Sequence, residues 1–271
     1  MPERVEILVT VTKKVDRRIL DKYPALRIVT VAFTGYDSVD LDLCRERGIQ
    51  VYNVPSYATH SVAELVLGLT ISLLRDIPAA DQGLRAGQWD SSPGLELHGR
   101  TVGILGTGRT GQAVAKIFKA LGCNVIGWSR TENEGFKAMG GTYIRDKREF
   151  FATPDIVSVH LPLTEETRGF IGKEEFLAMK PTAYLVNTAR GAIVREADLI
   201  EALESGSIAG AGLDVFEKEP MDRENRLAKL PQVTITPHIA FKTREALERR
   251  AETTVANMVN GIKGNSANRV A

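Results

Sequence analysis

Cysteine, histidine and aromatic side chains are scarce in this 271-residue chain, at two, four and 6% respectively. Cys44 and Cys123 are too few for a disulfide framework and lack ligand spacing, so both read as reduced packing residues and no metal site is expected. An excess of charge of either sign is also missing, with 35 Lys and Arg against 34 Asp and Glu and a formal net charge of +1. That balance offers no electrostatic reason to expect nucleic acid or an anionic membrane surface as partner, and it directs the search to a pocket. No window approaches ~18 uninterrupted apolar residues, which excludes a spanning helix. Glu3, Arg4 and Glu6 interrupt the amino-terminal apolar residues, so a cytoplasmic setting is expected. A solenoid-type repeat is absent, as is any low-complexity stretch longer than the tail Gly264 to Ala271.

What the chain does have is alternation. Short β-branched runs at Ile7 to Val11, Arg27 to Ala32, Thr101 to Leu105, Asn124 to Trp128, Ile156 to His160, Ala183 to Asn187 and Val233 to Thr236 are separated by helical patterns. This order predicts an α/β fold with a parallel sheet. From Ser61 to Arg75, Val62, Leu65, Val66, Leu69 and Leu73 recur at helical spacing, opened by Ser61 and Glu64 in capping-box register. The helix is apolar over more than one face, which suits a position between layers or at a subunit contact. Pro78 to His98 lacks sustained periodicity and carries Gly83, Gly87, Pro93 and Gly94, as expected of a crossing between units. A boundary there gives domains of residues 1–93 and 94–241, with a helix in 242–271 returning to the first.

The strand at Thr101 to Leu105 runs directly into Gly106, Thr107, Gly108, Arg109, Thr110 and Gly111, followed by a helix at Gln112 to Leu121 and a new strand. In such a βαβ setting Gly106 permits the tight turn, Gly108 lets the backbone approach a pyrophosphate, and Gly111 allows close helix–strand packing. The N–H groups opening the helix then face the phosphates. Glycine turns also occur in methyl-donor enzymes, but the strand before and helix after favour a dinucleotide. At the end of the second strand, where an acid would meet the ribose hydroxyls of NAD, stand Ser129, Arg130 and Thr131. A guanidinium there suits the 2′-phosphate of NADP, so NADP is favoured over NAD, with Glu132 and Glu134 close enough to oppose it.

Asp155 to Pro162 (DIVSVHLP), Met179 to Arg195 (MKPTAYLVNTARGAIVR), Gly210 to Pro220 (GAGLDVFEKEP) and Thr236 to Ala240 (TPHIA) follow in order. Together with Gly35 to Asp40, Asn53 to Glu64 and the glycine turn, they resemble the D-isomer-specific 2-hydroxyacid dehydrogenases over nearly the whole chain. That family includes glyoxylate and hydroxypyruvate reductases and glycerate, phosphoglycerate and D-lactate dehydrogenases. The resemblance implies a doubly wound Rossmann cofactor domain beside a smaller, amino-terminally shortened flavodoxin-like domain that closes over a small 2-oxo or 2-hydroxy acid. It makes Arg190 the guanidinium that holds the substrate carboxylate, a task suited to a planar fork. His238 becomes the general acid and base, and Glu219 the carboxylate that orients its ring. Thr34 and Gly35 are implied to bind the substrate carboxylate through backbone N–H groups. Asp214 is implied to contact the nicotinamide carboxamide, and His160, Pro162 and Thr188 to line the cofactor cleft. His160 reads equally well as a structural histidine.

Family members usually pair through their cofactor domains, which implies a homodimer; Trp89 serves either such a contact or the core. The family pattern opens with a strand–helix–strand unit ahead of the segment matching Val5 to Thr10. This sequence starts without it, so the strand near Ile7 is expected to be an exposed edge. Arg195, Thr182 and Phe241 also depart from the common pattern. A nucleotide-sensing interaction protein, or a catalytically weak subunit of the same fold, is the alternative to an enzyme. The intact Arg190, Glu219 and His238 favour the enzyme, because a binding module needs no proton donor.

Overall fold

The chain divides into two units, Met1–Ala58 with Lys242–Ala271, and Thr59–Phe241; the computed structural model describes residues 2–89 and 92–271. In the first unit β1 (Ile7–Thr10), α1 (Arg17–Lys22), β2 (Ile28–Val31), α2 (Leu41–Glu46) and β3 (Gln50–Tyr52) alternate, and the strands form a parallel sheet in the order β1-β2-β3. Asp16 and Asp40 cap α1 and α2 by accepting from Ile19 N and Leu43 N, which satisfies amides the helices leave open. Val29 and Val31 bury one face of β2 among Val15, Leu20, Leu43 and Cys44. β1 is an edge strand, with Val9 in it and Val11 just after it each 44% exposed.

The second unit opens with α3 (Thr59–Arg75) and α4 (Ile77–Arg85) and continues as β4 (Thr101–Leu105), α5 (Arg109–Ala120), β5 (Asn124–Trp128), α6 (Glu134–Ala138), β6 (Thr142–Tyr143), α7 (Lys147–Ala152), β7 (Ile156–Val159), α8 (Lys173–Ala178), β8 (Tyr184–Asn187), α9 (Glu196–Glu204), β9 (Gly210–Leu213) and β10 (Val233–Ile235). Its seven strands are all parallel in the order β10-β9-β8-β7-β4-β5-β6. The order reverses direction between β4 and β7, and open α/β sheets bind ligands at such a switch point, beyond the carboxyl ends of the strands. One face is covered by α3 and α5, where Val66, Leu69, Val114 and Phe118 meet Val102, Ile104 and Ile156. The opposite face packs Phe150, Phe151, Phe176 and Leu199 on Leu105, Val157 and Leu185. The chain then returns to the first unit through α10 (Arg244–Lys263), which packs on β2 and β3 and whose fully buried Asn257 donates to the Asn53 carbonyl at 2.6 Å.

Several expectations shift. The first unit ends at Ala58 and not at residue 93, because α3 buries its apolar side against α5, β8 and β9 and so belongs with the larger sheet. That helix begins at Thr59, so Ser61 and Glu64 lie inside it and do not form its cap. The crossing from Pro78 to His98, read as lacking sustained periodicity, contains most of α4, with Pro78 at its start, where its missing N–H costs nothing. Residues 90 and 91 of that segment lie outside the described residues. Helix α5 starts at Arg109, three residues earlier than read, with Gly108 as its cap. Trp89 is 91% exposed and fills no core. No described helix is long and apolar enough to cross a membrane. Cys44 and Cys123 are both free and buried.

Candidate active site

The glycine turn joins β4 to α5. Gly106 adopts φ +99, and a Cβ on Gly111 would stand 2.1 Å from the Gly106 carbonyl oxygen, so both positions demand glycine. A Cβ on Gly108 would meet nothing within 4 Å, and no side chain caps the helix that Gly108 begins. The start of α5 therefore presents open backbone and unspent N–H groups at Arg109 and Thr110, the arrangement that suits a pyrophosphate. At the end of the neighbouring β5, Ser129 is partly buried and Arg130 and Thr131 are exposed. Glu132 is held by Lys137 and Arg145 at 2.7 and 2.9 Å, and Glu134 by Lys137 at 2.9 Å. The hydrogen bonds from Lys137 and Arg145 draw the Glu132 carboxyl below its usual range.

Beyond β7, His160 shares a 2.8 Å hydrogen bond between Nε2 and Ser158 Oγ, and burial pushes its pKa down to about 3. His160 is thus a neutral imidazole, and Pro162 follows it as an exposed residue whose carbonyl accepts from Thr167 Oγ1. Beyond β8, Thr188 is 7% exposed and its Oγ1 has no hydrogen-bond partner. A buried hydroxyl without a partner costs stability unless a ligand supplies one. Open backbone at Gly108 and this orphaned hydroxyl both fit a dinucleotide lying along the strand ends.

Arg190, Glu219 and His238 follow the adjacent strands β8, β9 and β10. Asn187, 1% exposed, ties the Arg190 turn together: its Nδ2 donates to the Arg190 carbonyl and its Oδ1 accepts from Ala189 N, each at 3.0 Å. Gly191 is required next, since a Cβ there would lie 1.9 Å from the carbonyl carbon of Phe216. Glu219 Oε1 accepts from Phe216 N at 3.1 Å, and Oε2 contacts His238 Nδ1 at 2.6 Å. Burial raises the Glu219 pKa, but the hydrogen bonds from His238 and Phe216 and the charges of His238 and Arg190 outweigh it, so the carboxyl titrates below its usual range. An ionised Glu219 makes Nδ1 the donor and leaves Nε2 free to exchange a proton with a ligand. Phe241 meets the imidazole edge to face at 5.7 Å.

Asp214, at the end of β9, is fully buried. Its Oδ1 accepts from Thr236 Oγ1 at 2.6 Å and Ile239 N at 2.8 Å, and its Oδ2 from Ala240 N at 2.8 Å. In the first unit Thr34 and Gly35 lie in the loop after β2. Thr34 Oγ1 donates to the Val54 carbonyl at 3.0 Å, and Asn53 Nδ2 donates to the Thr34 carbonyl at 2.8 Å. Sequence reading passed over Asn187 and Asn53; an Asn closing an apolar run just ahead of a glycine-bearing turn is the signal that marks the former.

Residues 67–240 match the NAD binding domain of the D-isomer specific 2-hydroxyacid dehydrogenases. Glyoxylate reductase of Thermococcus litoralis is 42% identical over 271 residues, covering 96% of this chain and 81% of that protein. Hydroxypyruvate reductase of Blautia hydrogenotrophica is 34% identical, covering 97% and 84%. Among solved structures, D-lactate dehydrogenase of Aquifex aeolicus, complexed with NAD and lactic acid, superposes with a TM-score of 0.92 at 31% identity, covering 99% of this chain and 87% of that one.

Proposed function

The chain belongs to the D-isomer specific 2-hydroxyacid dehydrogenase family, and we propose that it reduces small 2-oxo acids of the glyoxylate and hydroxypyruvate kind, with NADPH as preferred donor. The observation that carries the reading is the grouping of Arg190 with the Glu219–His238 pair on three adjoining strand ends. In this reading Arg190 fixes the substrate carboxylate and polarises the oxo group, which holds the carbonyl carbon in place for reaction. His238 Nε2 delivers a proton to the oxo oxygen as it becomes a hydroxyl, and Glu219 stabilises the cation before delivery. A bound reduced nicotinamide supplies the hydride. In the reverse direction His238 removes the hydroxyl proton.

Gly106, Gly108, Arg109, Thr110 and Gly111 would hold the pyrophosphate, with Thr188, His160, Pro162 and Asp214 toward the nicotinamide end. Preference for NADPH rests on Ser129, Arg130 and Thr131 beside a Glu132 already taken up by Lys137 and Arg145. A homodimer is part of the reading: α4 buries no residue, and Ile77, Leu84 and Trp89 stand 47%, 57% and 91% exposed, which suits a second copy of this chain. The test is NADPH and NADH oxidation followed at 340 nm with glyoxylate, hydroxypyruvate and pyruvate. Turnover abolished by His238→Ala is expected; no oxidation of either cofactor despite tight binding would return the chain to the nucleotide-sensing alternative.

A further inference from the structure

The edge strand β6 places the hydroxyl of Tyr143 between two turns. Thr107 Oγ1, in the glycine turn, lies 2.6 Å from the phenolic oxygen. Asn133 N, in the loop after β5, donates to the same oxygen at 2.8 Å. Gly106 N donates to the Trp128 carbonyl at 2.8 Å, and past that bond the tyrosine hydroxyl spans the glycine turn and the loop that carries Ser129, Arg130 and Thr131. Gly127, the β5 partner of Tyr143, makes room for this contact: a Cβ there would stand 2.8 Å from Thr107 Cγ2 and 2.7 Å from Phe136 Cε1. Phe136 is fully buried and packs on the tyrosine ring, with 5.1 Å between centroids. The two turns are unequally secured. The glycine turn is fixed by the close packing of Gly111 on Gly106 and by Gln112 Nε2, which donates to the Thr107 carbonyl at 3.1 Å. The loop carries exposed Arg130 and Thr131, and its Glu132 is tied to Lys137 and Arg145 by partly exposed ion pairs, a class that fixes little.

We propose that Tyr143 is a positioning residue: it holds the loop of Ser129, Arg130 and Thr131 at a fixed distance from the glycine turn and so sets the preference for NADPH over NADH. The proposal rests on the reading of that loop as the 2′-phosphate site. NADPH sets its pyrophosphate on one turn and its 2′-phosphate on the other, so the gap between the turns has to match the ligand before Arg130 can make a charge-assisted hydrogen bond. NADH lacks the 2′-phosphate and needs only the glycine turn in place. Without the hydroxyl the loop is released, because the glycine turn keeps its own anchors.

Tyr143→Phe tests it in the whole chain, since it keeps the ring and removes the link. The Kd for NADPH by fluorescence titration is expected to rise about tenfold, the order of one charge-assisted hydrogen bond lost, while that for NADH stays within about threefold. In an Arg130→Ser background Tyr143→Phe should weaken NADPH no more than it weakens NADH, because the hydroxyl acts through that guanidinium. A tyrosine that only supports the fold gives another pattern, a lower thermal midpoint with the ratio of the two Kd values unchanged. An unchanged ratio overturns the proposal. So does a tenfold loss of NADPH binding that persists in the Arg130→Ser background. If Tyr143→Phe does not fold, Thr107→Val removes the other end of the link and keeps the branched shape; a narrowed preference supports the proposal, and an unchanged one refutes it. The parent tells the two readings apart. A parent that prefers NADH fails the 2′-phosphate site and this proposal with it, whereas a parent that prefers NADPH, with a ratio unmoved by Tyr143→Phe, fails this proposal alone.

Discussion

Gly191→Ala asks whether the turns bearing Arg190 and Glu219, to which catalysis is assigned in the proposed function, share one space. The new Cβ would lie 1.9 Å from the carbonyl carbon of Phe216, 2.0 Å from its oxygen and 2.5 Å from Glu217 N. Carbon atoms rest near 3.5 Å, so about 1.6 Å of separation must open. The obstacle is backbone, and no rotamer change relieves it. Either the turn bearing Arg190 retreats or the segment leading to Glu219 does. Overpacking costs ~1–3 kcal/mol, and a backbone obstacle puts this variant near ~3 kcal/mol, within a typical reserve of ~5–15 kcal/mol. The variant should therefore remain folded at 25 °C with a lower urea midpoint. A shift of about 1 Å at a catalytic group should lower kcat about 100-fold in the 340 nm assay. A variant that unfolds within ~0.5 kcal/mol of the parent, the range of ordinary surface substitutions, and keeps its turnover would refute the reasoning.

Arg130→Ser should raise the KM for NADPH by about 10- to 100-fold, the value of one charge-assisted hydrogen bond, and leave NADH nearly unaffected; equal losses with both cofactors would remove Arg130 from the 2′-phosphate site. Because the Glu219 pKa is depressed in the folded state, the stabilisation it contributes is complete above the ordinary value near 4.3 and is lost as pH falls through the folded value. Glu219→Gln should accordingly flatten the acid limb of the thermal midpoint against pH, and an unchanged limb would contradict the pairing. Light scattering should report a dimer that Leu84→Glu with Trp89→Glu converts to a monomer; an unaltered mass would place the contact elsewhere.

Sequence reading recovered most where local pattern and tertiary use agree. Thr101–Leu105 and Asn124–Trp128 are strands at the residues read, since each is a buried β-branched run punctuated by glycine. Gly210–Leu213 escaped notice as a strand because it lacks β-branched residues altogether. Its glycines leave room for neighbours: a Cβ on Gly210 would stand 2.6 Å from the Gln232 carbonyl, and one on Gly212 would stand 3.1 Å from Leu69. Helix α4 escaped because it buries nothing, so no apolar stripe marks it. The residues proposed for catalysis stand in motifs that the sequence displays, whereas the left-handed turn at His238 and its contact with the buried Asp214 depend on residues 22 or more positions apart meeting in space.

In the larger sheet, Arg130 follows β5 and His238 follows β10, with β4, β7, β8 and β9 between them. At ~4.8 Å per strand the two lie about 24 Å apart across the sheet, well beyond the ~7–10 Å within which substitutions couple. On the roles proposed for Arg130 and His238, the choice of reductant and the handling of the proton can therefore be changed one without the other.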